Sequence, residues 1–256
     1  FERVEWVEQK ELLGLGHAIA QTKPVVGADP MLMVYGDTVF RADLAQELSA
    51  KGDGLLGVKT VEDPRRFGVV VTEGDKVVKL VEKPEEFVSD QAIVGVNLIR
   101  ESAQLFACLD DLIKRDVRLR GEFQLTDALQ LMVEQGANLS TFPVGGWFDC
   151  GTQEAMLETN RDLLRDSPAP THCTNTVVVP PVHIDPTAEV RDSVVGPYVS
   201  IGAGAIVQHT IVRNAIIGEQ AEVKAALIED SLIGFQAVLK GRWNHLNIGD
   251  MSEITT

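Results

Sequence analysis

Between Ile184 and Leu239 an aliphatic residue returns every five or six positions, at Ile184, Val190, Val195, Ile201, Val207, Val212, Ile217, Val223, Ile228, Ile233 and Leu239. The steps run 6, 5, 6, 6, 5, 5, 6, 5, 5 and 6, so any three of them span 16 or 17 residues. An α-helix repeats at 3.6 residues and a flat strand at 2, and neither produces this spacing. A three-sided solenoid does, because each turn lays three short strands on the turn before it. Ile and Val dominate the repeating position, which suits strands better than helices. Gly196, Gly202, Gly218 and Gly234 each follow an aliphatic position, where the chain must turn a corner without a Cβ clash. Residues 182–256 are therefore expected to form a hexapeptide-repeat parallel β-helix.

Residues 1–166 keep a different rhythm. Residues 31–35 (MLMVY) are a continuous apolar run that stops at Gly36-Asp37, which reads as a buried parallel strand. Residues 43–50 pattern as a helix. Residues 54–59, 69–72 and 76–81 read as strands, the last two joined by a tight turn at Gly74-Asp75. Residues 102–114 and 125–136 are amphipathic helices, the second closed by Gly136. Residues 139–144 return to strand, and 152–164 are helical until Pro168. This alternation predicts a Rossmann-like, doubly wound, mainly parallel sheet. Residues 167–181, with Pro168, Pro170, Pro180 and Pro181 and no helical pattern, are expected to link the two halves. Residues 1–8 alternate like the middle of a strand with no initiator Met, so the sheet is expected to be incomplete at its N-terminus.

The formal charge of −15 argues against a surface that coats nucleic acid, which demands clustered Lys and Arg. A small anionic substrate needs only a few local cations and stays open. Cys108, Cys150 and Cys173 are far apart and in no metal-ligand spacing, a usage that fits a reducing cytoplasm. No apolar run reaches the length of a membrane span, and residues 1–20 lack a signal-peptide layout.

Four short motifs carry chemistry. Gly36-Asp37-Thr38 closes a strand-like run, and open α/β sheets bind ligands at the carboxyl ends of their strands. Asp37 there can hold a divalent cation, or it can simply open a turn or cap the helix near Asp43. Trp147-Phe148-Asp149-Cys150-Gly151 repeats the layout of strand, Asp, Gly and helix start. Two such carboxylates offer hard oxygen ligands to Mg²⁺ and leave room for phosphates. Glu82-Lys83-Pro84 ends the 76–81 strand, and Pro84 fixes the pair at a rim. There they can hold a sugar hydroxyl and a phosphate, or be solvated surface. Gly14-Leu15-Gly16-His17-Ala18 is either an ordinary helix entry or a backbone that lets a planar base lie close. His17 reads as a polar residue of the helix start. His172, His183, His209 and His245 show no metal spacing and read as structural or surface residues.

Taken in order, Gln9, Gly14 to Ala18, Gly36-Asp37, Arg66-Phe67-Gly68-Val69-Val70, Glu82-Lys83-Pro84, Gly95, Gly121-Glu122-Phe123-Gln124-Leu125-Thr126-Asp127 and Trp147 to Gly151 resemble the sugar-1-phosphate nucleotidyltransferase family. The C-terminal run through Ile228 to Gly234 and Leu246 to Glu253 looks like that family's long-form glucose-1-phosphate thymidylyltransferases, which carry a β-helix. The resemblance implies that Gln9 and the backbone at Gly14 read the base of a nucleoside triphosphate, and that Asp37 and Asp149 hold Mg²⁺. It implies that Glu82 binds sugar hydroxyls and Lys83 the phosphate of a sugar 1-phosphate, with Gly68 and Gly95 lining the sugar pocket. Asp37, Lys83 and Asp149 are then the catalytic residues. Thr38 stands where many members have Asn or Asp, and Cys150 where Thr is usual. The family also binds triphosphate on a Gly-rich, Arg-containing loop that none of these 256 residues supplies, so a segment before Phe1 is expected to carry it. The implied substrates are dTTP and glucose 1-phosphate, with UTP, ATP, GTP or CTP chemistry or a non-catalytic regulatory subunit as the alternatives. No nucleic-acid or membrane partner is expected. The β-helix, with flat apolar faces and open ends, is expected to make the protein a homo-oligomer.

Overall fold

The computed structural model describes residues 3–47, 49, 51–165, 173–241 and 247–255. It divides into two compact units, Phe1–Trp147 and Phe148–Thr256. In chain order the first unit holds α1 (Leu15–Gln21), α2 (Lys23–Val26), β1 (Met31–Val34), β2 (Thr38–Arg41), α3 (Leu44–Glu47) and β3 (Gly54–Thr60). It continues through β4 (Gly68–Glu73), β5 (Lys76–Glu82), β6 (Gln91–Ile99), α4 (Ser102–Lys114), α5 (Leu125–Glu134) and β7 (Leu139–Pro143). The division between the units falls within β8 (Gly146–Asp149).

Six strands form one sheet in the order β1-β6-β3-β7-β5-β4. The two amphipathic helices pack on one side of it. α4 buries Leu105, Phe106, Cys108, Leu109 and Leu112, and α5 buries Leu125, Ala128, Leu129 and Met132, both at helical spacing. Gly136 closes α5 at φ 94°, with its own N–H on Val133 O and that of Ala137 on Met132 O. Leu55, Val94, Val96, Phe142 and Val144 form a second core with partly buried Phe40 and Trp147.

The α/β expectation holds, but the strand directions need correcting. Among the described ladders of this sheet, β3 and β7 are the parallel pair, and the other pairings are antiparallel. Parallel neighbours need a crossover of a dozen or more residues, and the β4–β5 turn and the 83–90 connection are too short for one. The 31–35 run is likewise not parallel, and it is only half-buried, with Met31, Met33 and Tyr35 turned to the core. β1 lies antiparallel to β6 at the sheet edge, with Leu32 and Val34 exposed. Residues 3–8 form no strand, and Trp6 is 95% exposed; their alternation finds no strand to pair with among the described residues. The 43–50 helix shortens to α3, with residues 48 and 50 outside the described ones. β6, nine residues long and buried on both faces, had no clear signal in the sequence. Gly95 and Asn97, both poor strand formers, interrupt its apolar run.

The second unit opens with α6 (Gln153–Leu164), whose N-terminal N–H of Ala155 is capped by Thr152 Oγ1 at 3.2 Å. Twelve strands follow: β9 (Val177–Val178), β10 (Val182–Ile184), β11 (Glu189–Arg191), β12 (Val194–Val195), β13 (Val199–Ile201) and β14 (Ile206–Gln208) come first. β15 (Ile211–Ile217), β16 (Glu222–Lys224), β17 (Leu227–Ile233), β18 (Val238–Lys240), β19 (Asn247–Ile248) and β20 (Glu253–Thr255) complete the β-helix. Every described ladder among them is parallel. All eleven repeating aliphatics are buried in one continuous core. The 167–181 linker needs trimming: residues 166–172, with His172, lie outside the described ones, and β9 already pairs with β12. His245 also lies outside them.

The corners are turned differently from the expectation. Left-handed non-glycine residues stack in columns, one of Asn175, Asp192, His209 and Ala225, another of Tyr198, Asn214 and Asp230. Asn, Asp and His tolerate this conformation better than most side chains. The glycines instead permit close stacking: a Cβ on Gly218 would meet the backbone of Gly234 at 2.8 Å, and one on Gly202 would meet Glu219 N at 2.8 Å. We therefore expect Gly218→Ala to destabilise the β-helix by about 1–3 kcal/mol, since rigid backbone faces the added methyl. Urea unfolding followed by circular dichroism checks this, and an unchanged midpoint would contradict it.

Candidate active site

β5 ends at Glu82, directly opposite Gly68 in the β4–β5 ladder. From the first turn of α5, Thr126 donates its hydroxyl to Glu82 Oε2 at 2.6 Å. A Cβ on Gly68 would stand 2.5 Å from Thr126 Oγ1 and 2.8 Å from Glu82 Oε2, so only glycine leaves room for that hydrogen bond. Lys83 follows in the left-handed region at φ 44°, its N–H on Phe67 O at 2.9 Å. Its ammonium lies 3.7 Å from Glu82 Oε1, and the Glu82 side chain is 11% exposed. One carboxylate oxygen is thus tied to the protein and the other stands beside a cation.

Tyr35, immediately after β1, lies in the field of the same carboxylate. Burial raises its phenol above the usual range, and the charges of Glu82 and Asp37 push it further, so Tyr35 is a neutral hydroxyl at any physiological pH. Gly95 seats it: the Tyr35 N–H donates to Gly95 O at 2.9 Å, and a Cβ on Gly95 would meet the Tyr35 ring at 2.6 Å and Thr38 Oγ1 at 2.7 Å. Asp127 is raised too, first by burial and then by the Glu82 charge. Phe67 and Trp147 pack edge to face with centroids 5.0 Å apart, and the Trp147 indole nitrogen is buried without a partner among the described residues. A buried donor left so costs about 1–3 kcal/mol until something accepts from it.

Gln9 and Gly14 form a second cluster, on the loop that leads into α5. Gly16 donates to Phe123 O and Phe123 to Leu13 O, at 2.9 and 2.8 Å. The Cβ directions of Gly14 and Gly16 point at this loop, with Phe123 O at 2.8 and 2.9 Å, so close backbone packing accounts for both glycines. Gln9 Nε2 donates to Gly14 O at 3.0 Å and stands 3.0 Å from His17 Nδ1. From the other side, Gln21 Nε2 lies 3.2 Å from His17 Nε2 and donates to His17 O at 3.4 Å, so the imidazole is held between two amides. The Gln9 carbonyl oxygen is left as its remaining polar atom.

The structure therefore sets Lys83 and Gly68 beside Glu82 and Gly95 against Tyr35, whose phenol feels the charges of Glu82 and Asp37. Tyr35 and Thr126 were not singled out by the sequence; Thr126 lies in a motif, and Tyr35 ends an apolar run. Asp37 is exposed. Asp149, at the end of β8, is exposed as well, with Oδ1 accepting from Gly151 N at 3.2 Å. No group of three or more His, Cys, Asp or Glu among the described residues could hold a metal by itself. Single, exposed, hard carboxylates suit Mg²⁺, which keeps several waters and takes its other ligands from phosphates. Cys108, Cys150 and Cys173 are free thiols, and no helix among the described residues is long and apolar enough to cross a membrane.

A family model described as nucleotidyl transferase matches residues 2–166, and one described as GlmU-like C-terminal hexapeptide matches 169–241. A low-salt glycan biosynthesis nucleotidyltransferase of Haloferax volcanii is 29% identical over 250 residues, covering 85% of this chain and 68% of the relative. A glucose-1-phosphate thymidylyltransferase of Streptomyces griseus is 32% identical over 222 residues, covering 82% of this chain and 60% of the relative. A structure of apo UDP-glucose pyrophosphorylase superposes with a TM-score of 0.53 at 22% identity, covering 63% of each chain, a likeness of fold alone. The chain thus spans roughly three fifths to two thirds of the length of these relatives.

The Glu82 charge gives a direct test of the site's geometry. Glu82→Gln should lower the Asp127 pKa towards its ordinary value while leaving the part caused by burial. Because the raised carboxyl binds a proton more tightly folded than unfolded, Asp127 makes the protein lose stability as pH rises from its unfolded to its folded pKa. That loss should shrink in the variant. Carboxyl NMR titration checks it, and an unmoved Asp127 would contradict the arrangement.

Proposed function

Because the chain belongs to the nucleotidyl transferase family, we propose that it serves the transfer of a nucleotidyl group from a nucleoside triphosphate to a sugar 1-phosphate, releasing pyrophosphate. The observation that carries this reading is Glu82 held over Gly68 by Thr126 with Lys83 beside it. A largely buried carboxylate with one oxygen fixed accepts from sugar hydroxyls, and the adjacent ammonium takes the phosphate attached to the same sugar. The neutral Tyr35 hydroxyl and the unpartnered indole N–H of Trp147 are further donors suited to a polyhydroxyl ligand.

An oxygen of the sugar phosphate attacks the α-phosphorus of the triphosphate, forming one P–O bond as the bond to pyrophosphate breaks. That oxygen is already ionised at neutral pH, so no general base is required, and positioning with charge neutralisation supplies the catalysis. Lys83 holds and neutralises the attacking phosphate. Asp37, in the turn before β2, and Asp149, at the end of β8, are each proposed as a ligand of Mg²⁺, which when bound would offset the negative charge of the phosphates. Gln9, its amide nitrogen engaged by Gly14 O, turns its carbonyl oxygen to the base. We propose dTTP and glucose 1-phosphate as the pair, on the likeness to the Streptomyces griseus glucose-1-phosphate thymidylyltransferase, with UTP as the second reading. We also propose that the protein is a homo-oligomer.

A panel of nucleoside triphosphates against sugar 1-phosphates on the full-length protein, read by pyrophosphate release, tests the substrates. Asp37→Asn or Asp149→Asn should lower turnover by about 10²-fold or more without changing the melting temperature. Lys83→Ala should raise KM for the sugar phosphate more than for the triphosphate. Near-normal release by both Asn variants under saturating Mg²⁺ would remove the metal assignment, and no release from any pair would favour the non-catalytic alternative.

A further inference from the structure

The outer sides of the β-helix differ in what they present. The side built from β11, β14, β16, β18 and β20 bears charges paired within a rung, Arg191 with Glu189 and Lys224 with Glu222. A second side carries an aliphatic ladder of Val177, Val194, Ile211 and Leu227 on β9, β12, β15 and β17. The remaining side and its corner are polar and lie against α6. At that corner Tyr198, Asn214 and Asp230 follow one another at intervals of 16 residues, each in the left-handed region. α6 meets all three: Gln153 Nε2 donates to Asp230 O at 2.9 Å, Arg161 Nε to Asn214 Oδ1 at 2.7 Å and Asn160 Nδ2 to Tyr198 O at 3.2 Å. Ser200 Oγ completes the set by donating to Asn160 Oδ1 at 2.6 Å. The repeats match in length. Gln153 and Asn160 are about 10.5 Å apart along a helix, and Asp230 and Tyr198, two coils apart, are separated by about 9.6 Å at the spacing of β-strands. Directional bonds therefore fix the register of α6, where apolar contact alone would let it slide. Asn160 is 7% exposed, so its bonds are costly to lose.

The same helix holds the loop that carries Asp149. Cys150 donates its S–H to Thr159 Oγ1 at 3.4 Å, and Thr159, itself buried, donates its hydroxyl to Ala155 O at 2.7 Å. Thr152 Oγ1 caps the Ala155 N–H, and Gly151 N donates to Asp149 Oδ1. Thr159 and Asn160 are neighbours in sequence, so a single turn of α6 grips the loop with one residue and the β-helix with the next. We propose that the β-helix positions Asp149 through α6, with Cys150, Thr159, Asn160 and Arg161 as the positioning residues. Every residue in this chain of contacts lies in the second unit. An exposed carboxylate on a short loop holds a cation well only when its backbone is fixed beforehand. The bearing of these contacts on the reaction rests on the reading of Asp149 as a Mg²⁺ ligand; the positioning itself does not.

¹⁵N NMR on the full-length protein tests the proposal, with thermal unfolding by circular dichroism to confirm that each variant folds. The reporter is the Gly151 amide, which bonds Asp149 Oδ1. Asn160→Ala and Cys150→Ala should each speed its hydrogen exchange by about tenfold, as expected when one restraining hydrogen bond is lost. Cys150→Ser, which keeps a donor for Thr159, should exchange at close to the parent rate. Mn²⁺ added without substrates should broaden the Cys150 and Gly151 amides of the parent, and the two Ala variants should need about tenfold more of it. Unchanged Gly151 exchange in the folded Asn160→Ala or Cys150→Ala variant would overturn the link through α6. Exchange that rises as much in Cys150→Ser as in Cys150→Ala would overturn the contact with Thr159 as its last step. Faster exchange in both Ala variants, with no Mn²⁺ response in the parent, would uphold the positioning and remove Asp149 as a metal ligand.

Discussion

Glu82 reaches Thr126 because Gly68 carries only a hydrogen where any other residue would place a methyl between them. That contact ties the end of β5 to the start of α5 across β4, so a hairpin and a helix converge on one carboxylate. The rest of the site is arranged about its charge. Lys83 stands beside it, the Tyr35 phenol is kept neutral by burial and by the negative field, and Asp127 holds its proton more tightly. An excess of negative charge in a half-buried cleft is costly unless cations or hydroxyl donors enter. On the proposed function, a sugar phosphate accompanied by Mg²⁺ would supply both.

The β-helix solves a different problem. Each coil of 16 or 17 residues is too small to bury anything alone, and stability comes from stacking. The eleven aliphatics provide the dry interior, the left-handed corner columns set the turns, and the glycines let neighbouring corners approach to backbone contact. The interior consumes every third or so side chain, which leaves the outer faces free to diverge. One lies under α6, one bears paired charges, and one stays aliphatic.

How much was legible varied with how local the cause was. The β-helix could be read because its period is written directly into residues that share one environment. Helices α4, α5 and α6 were equally plain, since their buried stripes follow the chain's own 3.6-residue period. Strand direction was not, because it depends on connection length rather than on the composition of a strand, and β1 looked like a buried strand while lying at an edge. β6 was hidden by Gly95 and Asn97, and Gly95 makes sense only once Tyr35 lies against it. In the site, Glu82 and Lys83 stood out as a pair, whereas Thr126 and Tyr35 matter through contacts 44 and 47 residues distant from Glu82 in sequence. Such partners leave no spacing to find.

The central claim is that a sugar 1-phosphate rests on Glu82 and Lys83 above Gly68. The most direct measurement is titration of ¹⁵N-labelled protein with glucose 1-phosphate, followed by amide and indole NMR resonances. The account predicts saturable shifts at the amides of Gly68 and Lys83, at Tyr35, and at the indole N–H of Trp147, with Lys83→Ala weakening them. Saturable binding that leaves these four signals in place while moving others would contradict it.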